Sequence, residues 1–125
     1  MIKNQVHSKF KVFIPEAGIA YGEAMRRIAG MVEEFARTNA VAIKSVGVEY
    51  LEHSKRLVLS LGYRDDEKLG YPVKLTSVSL GRLQLRPEEI EQGMSKAADG
   101  VENVICHEFF VTDDGEFVMV LLSHG

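Results

Sequence analysis

The chain has 125 residues, the length of one domain. A chain this long buries roughly two-thirds of its unfolded surface without a disulfide or metal staple. With 46% hydrophobic and 26% charged residues, a disordered tail, a collagen-like chain and a disulfide scaffold are excluded. Fifteen Lys+Arg against eighteen Asp+Glu leave a net charge of -3, so there is no bulk positive field to hold a nucleic-acid backbone. A single cysteine, Cys106, allows no intramolecular disulfide and fits a reducing cytoplasm. Residues 1–7 contain no apolar run of leader length, and the longest apolar run, Phe117 to Leu122, is of strand length. The expectation is a cytoplasmic chain without a membrane segment.

His7 to Ile14 alternates, with Phe10, Val12 and Ile14 on one parity, and Pro15 ends it. Tyr21 to Asn39 predicts an amphipathic helix. Tyr21, Ala24, Met25, Ile28, Met31, Val32 and Phe35 form its apolar stripe, and Glu23, Arg26, Arg27, Glu33, Glu34 and Arg37 lie opposite. Glu23–Arg27 and Glu33–Arg37 are i,i+4 pairs in the favoured order. Gly30 sits on the polar side at a cost of about 1 kcal/mol against Ala, a position that would suit close approach by another chain.

Two strands follow, Ile43 to Leu51 and Leu57 to Tyr63, around a turn at 52–56. The second is sharply two-faced, with Leu57, Leu59, Leu61 and Tyr63 on one side. Arg64 to Tyr71 reads as a polar loop. Val73 to Leu85 changes phase twice: Val73 and Leu75 share one parity, Val78 and Leu80 the other, and Leu83 and Leu85 return. A bulge near Gly81 would reconcile the second change. Pro87-Glu88-Glu89 opens a second helix with stripe Ile90, Met94, Ala97 and Val101, and Gly100 stops it. Val104 to Val111 and Glu116 to Ser123 form a hairpin about Asp114-Gly115.

The order β-α-β-β-β-α-β-β predicts one α+β domain over residues 1–125, a two-layer sandwich of a mainly antiparallel sheet of about six strands with two helices on one face. It also contains an echo. Residues 7–63 and 73–123 each run strand, helix, strand, strand, as in a duplicated βαββ unit. In the sequence, 47–51 aligns with 106–110 and 57–61 with 117–121. The order of elements is similar to the small acidic secretion-chaperone fold, with an N-terminal strand added and the C-terminal helix missing. It is equally similar to ferredoxin-like α+β dimers.

The last hairpin is apolar on both parities, whereas a sheet face open to water should alternate. Curling of the sheet could cover the second face. The favoured expectation is a homodimer or higher oligomer through sheet faces, because exposure would leave a patch beyond the few hundred Å² usual for monomers.

The chemistry is sparse. His107 lies mid-strand among Ile105, Phe109 and Val111, where it could serve as a general acid/base in an apolar pocket with Glu49 or Tyr50 assisting. A structural histidine is the plainer reading. Adjacent strand residues point to opposite sides, so Cys106 and His107 cannot form a nucleophile pair. Glu108 on a strand face calls for a cationic neighbour. His7, His53, His107 and His124 lack metal-ligand spacing, and no metal or cofactor is expected. The Gly18-Ile19-Ala20-Tyr21-Gly22 run carries no phosphate-loop pattern. Tyr21, Tyr50, Tyr63 and Tyr71 suit a pocket rim or interface. Tyr21, Tyr63 and Arg82 are the candidates for contacting a ligand. Arginines interspersed among acids argue against nucleic acid. The expected function is a homo-oligomeric binding module for a small ligand or partner protein. The alternative is a small cofactor-free enzyme of the isomerase, cyclase or lyase type using His107.

Overall fold

A computed structural model describes residues 8–51, 53–68, 72–82, 86–112 and 114–124, with Lys68 described by its backbone alone. His7, Glu52, Tyr71, Leu83, Leu85 and Asp113 of the reading above lie outside the described residues. The elements are β1 (Lys9–Phe13), α1 (Tyr21–Asn39), β2 (Val41–Leu51), β3 (Arg56–Lys68), β4 (Val73–Gly81), α2 (Pro87–Ala98), β5 (Val104–Val111) and β6 (Phe117–His124).

The apolar stripe of α1 buries Ala24, Met25, Ile28, Val32 and Ala36. Its last turn ends as Ala40 turns into the left-handed region, with φ 51°, and its N–H donates to Ala36 O at 2.8 Å. The helix packs on strands of both sheets, against β1, β2 and β3 on one side and β4 on the other. A continuous core joins Ile28 and Val32 of α1 to Leu57, Leu59 and Leu61 of β3 and to Val118, Val120 and Leu122 of β6. Two-residue alternation puts each of those trios on one sheet face. Glu33 ties the helix to the free edge of β4, its Oε2 accepting from the Leu75 N–H at 3.1 Å.

The described residues form an α+β fold, with two helices and two three-stranded antiparallel sheets, ordered β1-β3-β2 and β4-β6-β5. The single six-stranded sheet expected from the sequence is divided here. β2 and β5 touch where the sheets meet, but no ladder is formed between them. Both carry register shifts, at Ile43/Ser45 and at Val104/Cys106. Bulges bend and twist a strand, so both strands at that seam are irregular.

The two helices are unequal. α2 has no buried residue, and it leans on β4, where a Cβ on Gly93 would stand 3.4 Å from Leu80. Pro87 and the acids Glu88 and Glu89 start it as its sequence predicts, and Gly100 follows it with φ 80°. The bulge foreseen near Gly81 lies between Ser79 and Gly81, and Gly81 has φ 79°. β3 runs five residues past Tyr63 into the stretch read as a loop. Neighbouring strands hold those polar residues: Lys9 pairs with Asp65 at 2.6 Å and Lys44 with Glu67 at 2.9 Å.

The two halves share one pairing plan. β1 and β2 both pair antiparallel with β3, and β4 and β5 both pair antiparallel with β6. Matched from their turns, Leu57, Leu59 and Leu61 correspond to Val118, Val120 and Leu122, one residue out of step with the alignment read from the sequence. A one-residue slip exchanges the two sides of a strand. So Glu49, opposite Val58, and Glu108, opposite Val120, lie on unlike faces and are not counterparts.

Both parities of β6 are buried within one chain. Met119 and Leu121, on the side away from the main core, are 1% and 3% exposed. β5 is different: Val104, Phe109 and Val111 stay open to water.

Candidate functional site

Two of the residues expected to contact a ligand, Tyr21 and Arg82, come together at the β5–β6 turn. The Tyr21 hydroxyl donates to Glu116 Oε1, and its ring meets Phe110 edge-on at 6.5 Å. The hydrogen bond to Glu116, aided by burial, pushes the Tyr21 phenol up to about 12. Arg82 Nη2 lies 3.3 Å from Asp114 Oδ2. The Thr112 hydroxyl donates to Asp114 and accepts from the Glu116 N–H at 3.1 Å. Thr112 and Arg82 together hold the Asp114 carboxyl below the usual range.

Hairpin chemistry builds this cluster. Thr112 N–H donates to Glu116 O at 2.9 Å and Gly115 N–H to Thr112 O at 3.0 Å, with Gly115 at φ 85°. A short loop ending on a left-handed glycine is a favoured hairpin closure. Every charge in the cluster already has a partner, so its present chemistry is that of a clasp between α1 and the turn.

The other candidates are dispersed. Tyr63 meets Phe35 edge-on at 5.3 Å. Tyr50 is half-buried beside the core, while Glu49 is exposed. His107 is exposed on β5, opposite Leu121 of β6. His107, Glu49 and Tyr50 share no described cleft. Cys106 is half-buried, and burial pushes its thiol up to about 11.

Among the described residues, three clefts follow α1. One of about 550 Å³ lies between the chain after β1 and the helix, lined by Ile14, Pro15, Arg27, Gly30 and Met31. Another, of about 310 Å³, shares Gly30 and Glu34 with it and reaches Pro72 and Val73. The third, of about 510 Å³, continues past Glu33 and Lys74 to Glu102 and His124. Among the described residues, no group of three or more His, Cys, Asp or Glu converges as a metal site, and no helix is long and apolar enough to cross a membrane.

Sequence reasoning gave Glu116, Asp114, Thr112 and Glu33 no role in a site. Thr112 carried a local signal, a hydroxyl residue three before the turn glycine. Glu33 carried none, since its partner is a backbone amide 42 residues away. Its expected partner Arg37 instead meets Glu34. Comparison with protein-family models, with curated proteins and with solved structures returns no match.

Proposed function

We propose that the protein is a homo-oligomeric α+β binding module. Copies associate through the outer face of the β1-β3-β2 sheet, and the clefts along α1 receive a small ligand or a partner protein. One observation carries this reading, the composition of that face. Phe10 and Val12 of β1 lie opposite Gly62 and Ser60 of β3, and Ser45 and Gly47 of β2 lie across from the same two residues. Phe10 is 70% exposed and Val12 51%. A Cβ on Gly62 would stand 3.6 Å from the Phe10 ring edge, so the ring lies along the sheet.

Around these residues, Val58 and Leu51 continue the surface, and Glu49 and Arg56, opposite Leu51, are charges of opposite sign on it. The chain as a whole carries -3, so a nearly neutral face is the surface on which two copies meet with least repulsion. Small side chains between Phe10 and Val12 allow close stacking. Lys9 and Lys11 alternate with them on the edge strand, and charged edges discourage strand-to-strand addition, favouring contact through the face.

The shared pairing plan of the halves supports reading the fold as a duplicated βαββ unit. Its two sheets, in contact at β2 and β5, make up the strand layer of a ferredoxin-like sandwich. A reducing, cytoplasmic setting suits the single thiol. The exposed position of His107 lends the enzyme reading no support.

Sedimentation velocity across micromolar concentrations tests the assembly. The wild type should sediment as a dimer or larger species, and the F10D/V12D variant, with its fold checked by circular dichroism, should lose the sheet-face contact and sediment as a smaller species than the wild type. A wild type that stays monomeric throughout overturns the proposal.

A further inference from the structure

The exposed side of α1 carries a charge pattern centred on Gly30. Gly30 lies in the middle of the helix, exposed, and a Cβ there would meet nothing within 4 Å. The fold therefore does not require glycine at this position, although a mid-helix glycine weakens the helix. At about 100° per residue, Glu23, Arg26, Arg27, Glu33, Glu34 and Arg37 all fall within about 60° of Gly30. Their signs reverse about it: Glu23 mirrors Arg37, Arg26 mirrors Glu34, and Arg27 mirrors Glu33.

We infer that α1 is a second self-association surface, on which α1 of another copy packs antiparallel with the two Gly30 residues at the crossing. An antiparallel pair related by a two-fold axis through Gly30 sets each position against its mirror position, so every charge on the strip faces its opposite. A two-fold contact uses the same patch on both subunits, and only a charge-reversing patch is complementary to itself. Two bare Gly30 backbones permit a short distance between helix axes. The two clefts that share Gly30 and Glu34 flank the crossing and give the partner's side chains room beside Ile14 and Met31 on one side and Pro72 and Val73 on the other.

Present contacts suit this role. Within one chain Glu23 pairs with Arg26 and Arg27, and Arg37 with Glu34, all near the surface. Exposed pairs of this kind exchange partners at little cost. Arg27 also reaches Glu16 at 3.5 Å, and Glu33 holds the Leu75 N–H at 3.1 Å, so both side chains are steadied beside the crossing.

This contact is independent of the sheet-face association, and salt separates the two. A charge-matched helix pair weakens as ionic strength rises, whereas an apolar face does not. The experiment measures self-association of the F10D/V12D background by sedimentation equilibrium at low and high sodium chloride. Adding R37E should raise the dissociation constant about tenfold or more, because it creates like-charge contacts twice in the symmetric pair. Adding E23R together with R37E restores opposite charges across the axis and should return the constant to near its starting value. Adding G30L should abolish association while thermal melts show the fold intact.

The inference is overturned if that background is monomeric at every concentration. It is also overturned if the paired exchange weakens association as much as R37E alone, or if G30L leaves it unchanged. Failure of the sheet-face reading shows differently, as unchanged association on introducing F10D/V12D into the wild type.

Discussion

The Tyr21 hydroxyl donates a hydrogen bond to the Glu116 carboxylate, joining the first residue of α1 to the start of β6 across 95 positions of sequence. The same ring rests against Phe110, so one side chain fastens the helix to the hairpin through a polar tip and an apolar body. Tyr21→Phe keeps the ring and removes the donor. It should cost about 1 kcal/mol in urea unfolding, measured with protein dilute enough to be monomeric.

Stability should fall at alkaline pH. Tyr21 has an ordinary value of 10.0 and in the fold is held up to about 12, so the native state keeps a proton that the unfolded chain gives up. The stabilisation is complete below about pH 10 and disappears as the pH climbs towards 12. The Cys106 thiol, raised from 9.0 to about 11, acts in the same direction over a slightly lower window. Phenolate absorbance during a pH titration should show one late-titrating tyrosine, absent from Tyr21→Phe.

Cys106 should be chemically quiet in the folded protein. Thiolate is the reactive form, and a thiol raised to about 11 supplies very little of it near neutrality. Labelling by a thiol reagent at neutral pH should be slow in buffer and accelerate sharply in denaturant. Rapid native labelling would contradict the described burial.

Glu33→Ala should destabilise the chain by about 1–2 kcal/mol, because the Leu75 N–H on the edge of β4 loses its acceptor. Glu33→Gln retains an acceptor oxygen and should cost less. Amide hydrogen exchange at Leu75 is the direct measurement. It should quicken in the alanine variant and not in a control such as Glu89→Ala on α2.

Gly115→Ala should cost about 1–2 kcal/mol, since φ is 85° at the hairpin and a Cβ is strained there. The space around Gly115 is open, so the penalty reflects backbone conformation alone. Gly30→Ala should do the opposite, raising the melting temperature of the monomer, because that glycine lies in a regular helix with free space.

Local patterns in the sequence located the elements well. The helix Tyr21–Asn39 and the strand Val104–Val111 have the predicted bounds, because a 3.6-residue stripe and a hairpin turn are local signals. What failed was register. Leu57, Leu59 and Leu61 align with 117–121 by residue type, yet burial pairs them with Val118, Val120 and Leu122. A strand apolar on both sides offers no contrast to set the alignment. The seam between β2 and β5 was hidden too, since whether two neighbouring strands share a ladder depends on bulges that leave no plain mark in composition. Of the site, Tyr21 and Arg82 were legible as residue types. Their convergence on one turn was not, because it depends on how α1 packs on the second sheet.

The position of α1 has a further consequence. It belongs by sequence to the first half of the molecule, yet it lies against β4 and shares a core with β6 in the second. The second half's own helix, α2, buries none of its residues fully, so the core face of β6 depends on α1 for its cover. Residues 73–124, separated by a cut between β3 and β4, should be unstructured alone and fold on mixing with the fragment that keeps α1.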